Sequence, residues 1–100
     1  MLHAVFVRTL KPGVSYEGFR AAWLPETTPG GYPARTSIGR NVSSDRQVIT
    51  ILELDVSVDE FTAMAGSLTR PDALDRLAEV VETTELQGVF EDVYGPDDFA

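Results

Sequence analysis

The first strand-like stretch of this chain has no polar side. From Leu2 to Thr9, the residues Leu2, Ala4 and Phe6 alternate with His3, Val5 and Val7, so apolar side chains point both ways until Arg8. A strand of that kind is covered on both faces. The later run QVITILELD, Gln47 to Asp55, is the most β-prone stretch in the chain. One hundred residues without Cys suffice for one domain, residues 1–100, and domains of this size bury about two-thirds of their unfolded surface. So short a chain lacks the material to cover both sides of its own sheet, and a second copy packed face to face is the expected remedy.

The remaining elements follow from punctuation and period. Lys11-Pro12-Gly13 is a turn, and Ser15 caps a helix whose Tyr16, Phe19 and Trp23 recur at i, i+3 and i+7 until Pro25 closes it. Residues 25–33, PETTPGGYP, form a loop. Ala34 to Val42 and Gln47 to Asp55 read as a hairpin turning at Ser43-Ser44-Asp45-Arg46. Ser57 and Glu60 match a capping box ahead of Phe61, Met64, Ala65 and Leu68. Thr69 caps a further helix with Pro71 in its first turn and an apolar face of Leu74, Leu77, Ala78 and Val81. Leu86 to Tyr94 closes as a strand, with Leu86, Phe90 and Tyr94 on one side and Val89 and Val93 on the other. The order β-α-β-β-α-α-β predicts an α+β fold, a ferredoxin-like antiparallel sheet with helices on one face, the last two helices in the place of one.

Charge excludes several partners. The formal net charge is −8, and from Leu77 onward there is no basic residue, so the clustered Lys and Arg that neutralise phosphates are missing and neither nucleic acid nor an anionic membrane surface is expected. The first half carries six basic and three acidic side chains, the second two and thirteen. The N-terminal apolar run is short and has Arg8 and Lys11 behind it, unlike a signal peptide or a spanning helix. With no Cys, that points to a cytoplasmic protein. One His and no Cys cannot anchor a typical zinc site. No calcium loop, dinucleotide motif or nucleophile elbow is present.

The strand LHAVFVRTLKPG, the helix SYEGFRAAWLPE with Phe19 and Trp23 four apart, the hairpin ending in VITILELDVS and the following DEFTAMAGSL together resemble the dimeric α+β-barrel superfamily of antibiotic-biosynthesis monooxygenase-like and EthD-like small proteins. The resemblance covers nearly the whole chain. It implies two subunits whose sheets close a barrel, and a pocket for a small organic molecule between sheet and helices in each. It further implies, for members that are enzymes, cofactor-free oxygenation or isomerisation of aromatic or polyketide-like compounds, with no metal or flavin. Other members have no known activity, and an accessory or ligand-sequestering role stays open beside the enzymatic one. EthD-like relatives often carry a His soon after this helix's Trp, and residues 24–33 contain none.

Six residues are candidates for a site. His3 is the one side chain whose ordinary pKa lies near neutrality and so the natural general base. Asn41 would orient a carbonyl or assist proton removal. Trp23 offers a flat wall for an aromatic ring, or serves only as core packing. Tyr32, in the loop, offers a phenolic donor. Arg35 and Arg8 would hold a carboxylate or enolate oxygen, or instead pair with the acidic second half of the chain.

Overall fold

The computed structural model describes residues 1–23, 34–68 and 71–100. Along the chain these form β1 (Leu2–Leu10), α1 (Tyr16–Trp23), β2 (Arg35–Asn41), β3 (Ser44–Leu54), α2 (Val58–Leu68), α3 (Pro71–Val80), β4 (Val81–Glu91) and a 3-10 turn at Pro96–Phe99. The four strands make one sheet in the order β2-β3-β1-β4, and every neighbouring pair is antiparallel. This is the ferredoxin-like arrangement, α+β with the helices on one side.

Local chemistry sets the helix boundaries. Gly13, at φ +84°, turns the chain after β1. The Ser15 hydroxyl then accepts the Gly18 N–H at 3.0 Å and starts α1. At the start of α2 the capping box is complete: the Glu60 N–H donates to Ser57 Oγ at 3.1 Å, and the Ser57 N–H donates to the Glu60 carboxylate at 3.2 Å. Arg76 on α3 donates from Nε to the Ala22 carbonyl at 2.8 Å while its fork binds Asp72 at 2.7 Å. A cation is thereby fixed at the C-terminal carbonyls of α1, where the helix dipole favours it. Tyr16 Oη donates to the Asp45 carbonyl at 2.6 Å, which ties the start of α1 to the β2–β3 hairpin.

The core lies between sheet and helices. Leu2, Ala4 and Leu10 of β1 and Val48, Leu52 and Leu54 of β3 are buried beneath Phe19, Ala22 and Trp23 of α1 and Ala73 and Leu77 of α3. All the strand residues in that set are even-numbered, so the odd-numbered residues of β1 and β3 face away from the helices. Among the described residues, no helix is long and apolar enough to cross a membrane.

Three boundaries differ from the sequence expectation. β4 begins at Val81, directly after α3, and not at Leu86, and it ends at Glu91, which leaves Val93 and Tyr94 outside it. No Gly or Pro separates helix from strand here. The switch falls at Val80 and Val81, β-branched residues that suit either state, where Val81 pairs with Leu10 of β1 and Thr83 and Thr84 follow opposite Thr9 and Arg8. α3 buries Leu77, as expected, together with Ala73, while Leu74 is 57% exposed and Ala78 is exposed, so its inward stripe is turned from Leu74 and Ala78 toward Ala73. The hairpin is tighter than the four-residue turn: Asn41 pairs with Ser44, and Asn41 Oδ1 accepts the Ser43 N–H at 2.8 Å. An Asn side chain that replaces a backbone partner shortens the turn in this way. The capping role of Thr69 lies outside the described residues.

Candidate functional site

The two faces of the sheet carry different chemistry. On the helix-covered face, register places Phe6 between Thr50 and Gln87, and Arg8 between Val48 and Thr84. Arg8 is half-buried. Its guanidinium carbon lies 4.5 Å from the centre of the Phe6 ring and 5.9 Å from that of Phe19, which is fully buried. Burial pushes its pKa down from the usual arginine value, yet a guanidinium keeps its charge throughout the physiological range. Diagonal to Arg8 on the same face, the Thr50 hydroxyl is buried and has no hydrogen-bond partner. Thr84, Gln87 and Val89, on this side of β4, are exposed.

Three arginines among the described residues are half-buried. Arg46 donates to the Leu10 carbonyl at 3.0 Å and to Glu82 at 2.5 Å. Arg76 has the Ala22 carbonyl and Asp72. Arg8 has no carboxylate and no carbonyl within bonding distance among the described residues, only aromatic faces. In a chain with sixteen carboxylates to eight basic side chains, this half-buried arginine thus has no acidic partner among the described residues, whereas cations withdrawn from water are ordinarily paired.

The open face is a lattice of rows across β2, β3, β1 and β4. Arg35, Glu53, His3 and Phe90 form one row; Ser37, Ile51, Val5 and Gly88 the next; Gly39, Ile49, Val7 and Leu86 the third. Beyond it Gln47, Thr9 and Thr83 make a polar end. An apolar band is therefore bordered by polar rows, with Phe90 and Leu86 left 49% and 43% exposed. At the polar end β4 breaks register between Leu86 and Thr84, and the extra residue, Glu85, accepts hydrogen bonds from the hydroxyls of Thr83 at 2.5 Å and Thr9 at 2.6 Å. Those two bonds, Thr83's first, hold the Glu85 carboxyl below its ordinary pKa. A hollow of about 240 Å³ lies near the hairpin, lined by Val7, Asn41, Gln47 and Ile49 among others.

The six sequence candidates do not converge. Trp23 and Arg8 sit on the helix side, Trp23 as a core residue at the end of α1. His3 and Arg35 sit on the open side, in the same row with Glu53 between them. His3 Nε2 is 2.8 Å from Asp92 Oδ1. Asn41 is at the other end of the face and spends its amide on the hairpin, donating to Gln47 Oε1 at 2.7 Å. Tyr32 lies outside the described residues. Sequence reasoning passed over Phe6 and Thr50. Their signal was present only as even-numbered positions in strands whose neighbours are apolar. Among the described residues, no group of three or more His, Asp or Glu side chains could hold a metal ion.

Comparison with known proteins yields a likeness of fold. A dimeric protein of unknown function and ferredoxin-like fold from Bacteroides fragilis superposes with a TM-score of 0.56 at 20% sequence identity, over 91% of this chain and 95% of that one. No family model matches the chain. No curated protein matches it either. At that identity the likeness speaks for the ferredoxin-like fold, which this chain has.

Proposed function

We propose that this chain is a homodimer of the dimeric α+β-barrel type that binds a small organic molecule between its sheet and its helices. The observation that carries the binding role is a buried Thr50 hydroxyl with no acceptor or donor, beside a half-buried guanidinium that lies over Phe6 and Phe19 with no carboxylate among the described residues. Groups of that kind are costly to leave unsatisfied and mark sites where a ligand completes the bonding. The dimer is supported by the open face, whose apolar centre and polar borders have the anatomy of a protein interface, and by the dimeric state of the Bacteroides fragilis protein.

The resemblance of the sequence to antibiotic-biosynthesis monooxygenase-like and EthD-like proteins extends this reading to cofactor-free oxygenation or isomerisation of an aromatic or polyketide-like compound. One observation favours a second reading, a binding protein without catalysis: His3, the sole imidazole, lies on the opposite side of the sheet from Arg8 and Trp23. Native mass spectrometry of freshly purified protein tests the core of the proposal. A mass near twice 10.9 kDa with a small organic adduct released on denaturation is the expected result. A monomer at micromolar concentration overturns the dimer.

A further inference from the structure

From the surroundings of Arg8 we infer the class of ligand: a planar organic monoanion, a carboxylate or enolate on an aromatic or other flat apolar body. The inference rests on the binding site proposed above and narrows what fills it.

Three features define the class. First, the guanidinium already lies against an aromatic ring, with its carbon 4.5 Å from the Phe6 centroid. A guanidinium over a ring still has five N–H donors, and two of them fit two coplanar oxygens in a fork. Second, one side of the surroundings is apolar, while Thr84 and Gln87 of β4 make the other side polar. Phe6, Phe19 and Val48 flank the cation, and burial of flat hydrocarbon against them supplies affinity without charge. Third, Arg8 is the one half-buried cation of this face left uncompensated among the described residues, since Arg46, diagonal to it on β3, is paired with Glu82. The partners of Arg8 across the strands are Val48 and Thr84, and the next basic side chain in that row, Arg40, lies two strands away on exposed β2, roughly 10 Å off at the usual strand spacing. The whole chain is at −8. One charge fits one negative charge, and a phosphate dianion would be left half-compensated in an acidic protein. The Thr50 hydroxyl, diagonal to Arg8 on the same face, is suited to a second oxygen of the ligand, such as an ortho hydroxyl or ketone.

Trp23 is the sole tryptophan and belongs to the same buried cluster as Phe19, so its fluorescence reports occupancy. The experiment titrates the intact dimer with benzoate, salicylate, the neutral isostere benzamide and phenyl phosphate, on the native chain and on Arg8→Met and Thr50→Val variants. The expected result is that benzoate binds roughly tenfold to a hundredfold more tightly than benzamide, the range of a charge-assisted hydrogen bond pair. Arg8→Met should erase that difference and leave benzamide unaffected, and phenyl phosphate should bind less well than benzoate. Thr50→Val should weaken salicylate more than benzoate. Equal binding of benzoate and benzamide, or a benzoate affinity unmoved by Arg8→Met, overturns the monoanion and leaves the proposed binding site standing. Failure of all four compounds to bind overturns the proposed binding site itself. Should Arg8→Met not fold, the ¹⁵Nε–H resonance of Arg8 in the native chain decides: it is expected to shift on adding benzoate and to stay in place with benzamide, and an identical response to both overturns the inference.

Discussion

An Ile51→Glu variant should run as a folded monomer at concentrations where the proposed dimer of the native chain forms. Ile51 sits in the second row of the open face, between Val5 and Ser37, and its side chain contributes nothing to the helix-side core. In a face-to-face dimer both copies of the new carboxylate enter the dry centre of the interface, and taking an uncompensated charge out of water costs several kcal/mol per ion. The dissociation constant is therefore expected to rise at least about a thousandfold, equivalent to roughly 4 kcal/mol. Sedimentation velocity against protein concentration reads the shift directly. A far-ultraviolet dichroism spectrum matching the native one shows that only assembly was lost. If Ile51→Glu stays dimeric at native affinity, the open face is not where the copies meet.

The opposite experiment strikes the fold and not the assembly. Phe19→Ala removes a fully buried ring that underlies Arg8 and joins α1 to the central strands. Large-to-small changes of this kind in a well-packed core cost about 3–5 kcal/mol, against a total of roughly 5–15 kcal/mol for a domain. The expected fall in melting temperature is roughly 15–30 °C, since about 4–8 °C accompany each kcal/mol at this chain length. Phe90→Ala is the control: Phe90 is half exposed on the open face, so its loss should move dimerisation and leave the monomer's unfolding within about 1 kcal/mol. Thermal denaturation by circular dichroism separates the two, and a Phe19→Ala variant as stable as Phe90→Ala would mean that α1 is not anchored by its aromatic stripe.

Much of this architecture is legible in the sequence, for identifiable reasons. β1 and α1 announce themselves by a two-sided apolar run and by a Ser cap ahead of an aromatic stripe, and both lie where their residues place them. The capping box at Ser57 is a short-range signal whose two hydrogen bonds need nothing from the rest of the chain. The start of β4 was hidden because Val80 and Val81 suit helix and strand alike, and what decides between them is pairing with β1, seventy residues away in sequence. The inward stripe of α3 was misplaced because Leu74 looked more like a core residue than Ala73. A helix that packs close to α1 favours the small side chain at the contact.

The site was less legible than the fold. Arg8 could be singled out as a cation among apolar neighbours, but whether a carboxylate met it depends on where sixteen acidic side chains finish. Thr50 offers no sequence signal beyond its even-numbered place in the strand. A Thr inside VITILEL is ordinary β-strand composition, and only the assembled core reveals that its hydroxyl lacks a partner. His3 and Asn41 drew notice by their chemistry, and the strands carry them to opposite ends of the open face.

The break in pairing at Glu85 gives β4 something like a reading frame. Before it, odd-numbered Thr83 lies on the open side with Thr9; after it, even-numbered Leu86, Gly88 and Phe90 do, opposite Val7, Val5 and His3. One extra residue thus acts as a phase shift between Thr83 and Leu86, and a second break, between Val81 and Thr83, sets the phase ahead of it, so the sides taken from Leu86 to Phe90 depend on both. Adding or removing a single residue between Glu85 and Phe90 would transpose the two faces over the rest of the strand, sending Phe90 toward the helices and Val89 away from them. A change of two residues would only slide the rows. Length variation in this strand is therefore quantised in steps of two, unless a break moves with it.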